Sequence, residues 1–95
     1  MSDPPLPDLE DGLLDDGGLT ALAADLTALS TDIEVRCKGV GVYSQPATLD
    51  DAVTALREGA VAAVQVSYRY DGRRWIDTIM RAPSGYRVVR VAPQF

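Results

Sequence analysis

The sequence predicts an α+β domain in which two helices pack on one face of a four-stranded mixed sheet, in the order helix, strand, helix, strand, strand, strand. Three observations lead to it. Val64, Val66, Tyr68 and Tyr70 alternate with Ala63, Gln65, Ser67 and Arg69 ahead of Asp71-Gly72, a period of two that ends in a strong hairpin dipeptide. Leu19, Leu22, Ala23, Leu26 and Leu29 recur at the three- and four-residue spacing of a helix stripe. Between Thr48 and Gly59 lies a shorter apolar stripe with start and stop signals at its two ends.

Residues 1–16 hold Pro4, Pro5 and Pro7 and six acidic residues, with Leu6, Leu9, Leu13 and Leu14 as the large aliphatics. Proline removes backbone donors and like charges repel, so this segment reads as an acidic disordered tail ahead of a single domain over residues 17–95. Its leucines can also serve as a short docking segment, on a partner or on the chain's own domain. The first helix follows, with Asp16 as its expected cap and Gly17 and Gly18 weakening the first turn.

Ser30 to Asp32 break that helix, and Ile33, Val35 and Cys37 alternate with Glu34, Arg36 and Lys38 in the first strand. Cys37 therefore reads as a small core hydrophobe. Gly39-Val40-Gly41-Val42-Tyr43 lacks the rest of a dinucleotide or Walker sequence, so it reads as a bulge or bend and not a phosphate loop. The second helix starts at the Thr48 cap, with Asp51 in the first turn and Leu49, Ala52, Val53 and Leu56 as its buried stripe. Gly59 closes it in the left-handed cap position. The first two strands are expected to be joined by a right-handed crossover, and the last three to form an antiparallel meander turning at Asp71-Gly72 and at Pro83-Ser84, with Tyr86–Val91 as its final strand.

The register of the central hairpin decides which side chains face the helices. A two-residue turn would set Asp77 opposite Val66, in the middle of the apolar row. A three-residue loop with Gly72 as bulge residue would pair Val66 with Ile76. A buried carboxylate without a partner is costly, which favours the bulged form. One face then carries Val64, Val66, Tyr68, Ile76, Thr78 and Met80. The other carries Gln65, Ser67, Arg69, Trp75, Asp77 and Ile79.

Composition bounds the function more than any motif does. The net charge of −5 is uneven: residues 1–35 hold nine acidic and no basic residues, and residues 36–95 hold nine basic against five acidic, giving −9 and +4. One cysteine excludes an internal disulfide, and the absence of a basic start with a long apolar run argues against a secretory signal, so a cytoplasmic address is expected. No stretch is long and apolar enough to suggest a membrane span. Histidine is absent, which removes the usual general base and the commonest metal ligand, and one cysteine excludes thiolate zinc sites and dithiol chemistry. Asp15-Asp16 and Asp50-Asp51 are accounted for as helix starts, and Ser44, Ser67 and Ser84 have no histidine to activate them. No catalytic residues, cofactor or metal are therefore expected.

The leading expectation is a small interaction module, an accessory subunit, regulator or homo-oligomer, that binds protein or a copy of itself through the sheet face free of helices. Trp75 and Ile79 among Arg69, Arg73 and Arg81 are the expected contact residues, because Trp and Arg concentrate binding energy at interfaces. The alternative is single-stranded nucleic acid on the same sheet, suggested by Tyr68, Arg69, Tyr70, Arg73, Arg74 and Trp75, where aromatics interleave with cations. An enzyme working without histidine ranks last.

Overall fold

The computed structural model of the chain describes residues 11–39 and 48–92. Its elements are β1 (Asp11–Leu14), α1 (Asp16–Leu29), β2 (Thr31–Lys38), α2 (Leu49–Arg57), β3 (Ala63–Tyr70), β4 (Arg73–Ala82) and β5 (Gly85–Val91). The class is α+β, with both helices on one face of the sheet. The sheet itself differs from expectation: it has five strands in the order β1-β5-β4-β3-β2, and every neighbouring pair is antiparallel.

Two departures produce that difference. Asp11–Leu14, assigned by composition to the tail, forms edge strand β1 beside β5, with Leu14 packed against the core. The rest of that tail, residues 1–10, lies outside the described residues, as does the Val40–Tyr43 part of the glycine-containing stretch. The expected crossover between the first two predicted strands is also replaced. Lys38 lies opposite Ala63, so the connection carrying α2 leaves and re-enters at the same end of the sheet, and β2 and β3 run antiparallel. The element that crosses the sheet is α1. It links outer strands β1 and β2 with 14 residues, about 21 Å of helix.

Both helices form for the reasons their sequences give, with one shift. The cap of α1 lies one residue earlier than expected, at Asp15, whose carboxylate accepts a hydrogen bond from the Gly18 amide at 2.6 Å. Asp16, the expected cap, instead receives Arg57 Nε at 2.7 Å and so ties α1 to α2. In α2 the Thr48 hydroxyl accepts from the Asp51 amide at 3.1 Å, and Gly59 has φ +76°. Leu19, Ala23 and Leu26 of α1 and Leu49, Ala52, Val53, Ala55 and Leu56 of α2 are buried against Val64, Val66, Tyr68, Ile79, Val88 and Cys37 of the sheet. Leu29 is exposed at the end of its stripe.

The central hairpin takes the two-residue turn. Asp71 and Gly72 have φ of +54° and +74°, the left-handed pair that matches strand twist, and Tyr70 pairs with Arg73. The bulged register is thereby corrected: β3 faces as expected, but every side chain of β4 changes sides. Trp75, Asp77 and Ile79 point towards the helices. Ile76, Thr78 and Met80 point away. Ile79 is only 1% exposed, and Trp75 packs against the core with its indole N–H donating to the Tyr70 carbonyl at 3.2 Å. Trp75→Ala should accordingly cost about 3 kcal/mol, the lower end for a packed aromatic, and Ile76→Ala about 1 kcal/mol or less. Thermal denaturation of the two variants checks the assignment, and equal losses would contradict it.

Candidate functional site

Two features of the sheet carry polar chemistry, one sealed and one open. The sealed one lies on the helix side. The β4–β5 register sets Asp77 directly opposite Arg90, and Tyr68 reaches the same carboxylate diagonally from β3. Arg90 donates from Nε to Oδ1 at 2.8 Å and from Nη2 to Oδ2 at 2.7 Å, while the Tyr68 hydroxyl donates to Oδ1 at 2.9 Å. A planar guanidinium fork fits a carboxylate in two parallel bonds, which is why arginine suits this position better than lysine.

All three groups are buried, and their chemistry reflects it. Burial, followed by the negative charge of Asp77, pushes the Tyr68 phenol well above its ordinary value. Burial works to lower the Arg90 pKa, but the hydrogen bonds and charge of Asp77 outweigh it and raise the value. With Asp77 at 0%, Tyr68 at 0% and Arg90 at 4% exposure, no ligand reaches the cluster in this conformation. It fixes the register of three strands. Sequence reasoning missed it by judging Asp77 against β3 alone, although a two-residue loop at Pro83-Ser84 pairs residue 77 with residue 90.

The open feature is the face without helices. Across the strands its side chains fall into rows: Leu13, Arg87, Met80, Ala63 and Lys38; then Val89, Thr78, Gln65 and Arg36; then Val91, Ile76, Ser67 and Glu34; and finally Arg74, Arg69 and Thr31. The half built by β1, β5 and β4 is largely apolar. Leu13 and Val91 are 59% and 49% exposed, two of the three large hydrophobic side chains exposed among the described residues. The half built by β3 and β2 is cationic.

The face carries Arg36, Lys38, Arg69, Arg74 and Arg87, and on it Glu34 accepts from Arg74 Nη2 at 2.7 Å. The two helices behind it carry Asp16, Asp25, Asp50 and Asp51 with Arg57 as their one cation. The charge asymmetry of the sequence thus becomes, in part, an asymmetry between layers. A shallow depression of about 200 Å³ opens in the middle of the face, lined by Glu34, Arg36, Gln65, Ser67 and Ile76.

Of the expected contact residues, this face holds Arg69 alone. Ile79 is core, and Trp75 lies on the helix side with exposed Arg73 stacked over its ring at 4.9 Å. Arg81 also points to the helix side, near Gly59 at the end of α2. These four were misplaced by the one-residue register difference in β4, which moves a whole strand's side chains to the other face. The residues that take their place, Ile76, Met80 and Val89, carry no signal of exposure in their own chemistry.

Tyr68, Tyr70, Trp75 and Tyr86 all lie on the helix side, so the open face has no aromatic among the described residues. Cys37 is buried there too, and burial raises its thiol pKa. No group of three or more histidine, cysteine or carboxylate side chains able to hold a metal occurs among the described residues. None of the described helices is long and apolar enough to cross a membrane. Comparison with protein-family models, curated proteins and solved structures yields no match.

Proposed function

We propose that the protein is an interaction module whose helix-free sheet face binds an acidic polypeptide surface. The observation that carries this reading is the pairing, on one face, of an apolar strip with several cations: exposed Leu13 and Val91 and half-buried Ile76, Met80 and Val89 beside Arg36, Lys38, Arg69, Arg74 and Arg87. An apolar patch rimmed by charge is the ordinary make-up of a docking surface, and arginine is enriched at interfaces while lysine is not.

The same charges decide between occupants. Two copies meeting face to face would oppose like charges across the contact, which costs affinity and favours a partner of opposite sign. Single-stranded nucleic acid would satisfy the cations but finds, among the described residues, no ring on this face on which to stack a base. An acidic protein surface with apolar residues satisfies both halves.

The test is affinity capture on the full chain, followed by reconstitution of each captured protein as a purified binary complex. Binding should shift the methyl resonances of Ile76, Met80 and Val89 and weaken as salt rises. Val89→Glu should weaken it at least tenfold without lowering the melting temperature appreciably. A complex that is insensitive to Val89→Glu, or whose footprint lies on α1 and α2, would overturn the reading.

A further inference from the structure

We infer that the depression over Ser67 is the anchor of this face and receives the carboxylate side chain of an aspartate or glutamate from the bound polypeptide; this rests on reading the face as a protein-binding surface. The depression exists because a short side chain sits between longer ones. Ser67 lies opposite Ile76 on one side and Glu34 on the other, and Gln65 and Arg36 close one end of the gap. Neighbours directly across a strand pair stand about 5 Å apart and diagonal ones about 7–8 Å, so a serine in such a row leaves room for an incoming side chain.

The lining specifies the guest. Arg36 offers a guanidinium, and no salt bridge among the described residues uses it. Gln65 and Ser67 add neutral donors beside it, and Ile76 supplies an apolar wall for the methylenes of the guest. Glu34 also lines the depression, yet its charge is engaged by Arg74 at 2.7 Å. That remaining carboxylate disfavours a dianion such as a phosphate, while Arg36 repels a cation. A singly charged carboxylate accepts from Arg36, Gln65 and Ser67 and meets less repulsion from Glu34 than a dianion would. It also fits an extended partner in which acidic and apolar residues alternate, with the apolar ones reaching the Met80, Val89 and Val91 half of the face.

The probe is the peptide acetyl-Leu-Glu-Leu-Glu-Leu-amide, titrated into the isotope-labelled full chain, with its glutamine counterpart as control. The glutamate peptide should bind about tenfold more tightly, the increment of one charge-assisted contact. It should move the Arg36 Nε–H, the Gln65 side-chain amide and the Ile76 methyl resonances. Arg36→Gln and Ser67→Leu should each abolish the difference between the peptides while leaving the melting temperature unchanged, since both positions face away from the core. Equal binding of the two peptides, with shifts confined to Met80, Val89 and Val91, would sink the anchor and leave the interaction face standing. The absence of shifts on either half would overturn both.

Discussion

Arg90→Met should remove about 3–5 kcal/mol of stability, a large share of what a domain of this size possesses. Arg90 sits opposite Asp77 in the β4–β5 ladder and closes both carboxylate oxygens in a fork of 2.8 and 2.7 Å. Methionine matches much of its length but leaves Asp77, at 0% exposure, with only the Tyr68 hydroxyl to replace water. A buried charge so exposed to its low-dielectric surroundings is what makes removal of one partner expensive. The cost belongs to the orphaned carboxylate and not to the pair as such. The triple variant Asp77→Leu, Arg90→Met and Tyr68→Phe should therefore recover most of the loss, because the whole site becomes apolar. Urea unfolding followed by Trp75 fluorescence measures both, and a single variant that loses less than about 1 kcal/mol would show that water reaches the pair.

The same pair explains how far the fold was legible in the sequence. Both helices could be read because their signals are local: Thr48 with Asp51, Gly59, and the leucine spacing of α1 need no knowledge of the rest of the chain. The β3 face could be read for the same reason. β4 could not, because Asp77 is intelligible only through a residue of a third strand. Taken against Val66 alone it is an unpaired charge, and taken with Arg90 it is satisfied. The loop that avoids the apparent conflict puts Ile76, Thr78 and Met80 inside and Trp75 and Ile79 outside, and the expected contact residues go with them.

For the open face, then, the sequence places Gln65, Ser67 and Arg69 through β3 but sets Ile76, Thr78 and Met80 with the core. Ile76 and Met80 look like interior residues because chemistry alone does not distinguish a packed isoleucine from a presented one. β1 was hidden for a different reason. Four residues containing Gly12 and an acidic start have little strand propensity, and what makes them a strand is the β5 edge beside them. That edge is open to β1 because of a glycine, which is also where the second large effect is expected.

Gly85→Ala should destabilise the domain by roughly 3 kcal/mol and release β1 from the sheet. Gly85 begins β5 at φ +153°, a conformation that costs a residue with a side chain about 1–3 kcal/mol by itself. A Cβ there would also stand 2.2 Å from the Leu14 carbonyl oxygen and 3.2 Å from its carbon. These are backbone atoms, so no rotamer change relieves the clash, and one of the two strands must move. β1 is the one free to do so, since among the described strands it pairs with β5 alone. Its departure pulls Leu14 off the core and disturbs Asp15, whose carboxylate caps α1 and whose loss costs about 1 kcal/mol in its own right. Gly72→Ala provides the comparison. It has φ +74° but nothing within 4 Å of its added Cβ, so it should cost only the backbone term of about 1 kcal/mol. Hydrogen exchange should show Gly85→Ala losing protection in β1 while the β3–β4 hairpin keeps it. Equal losses for the two alanine variants, with β1 still protected, would mean that the close approach of Leu14 to Gly85 does not govern the edge of the sheet.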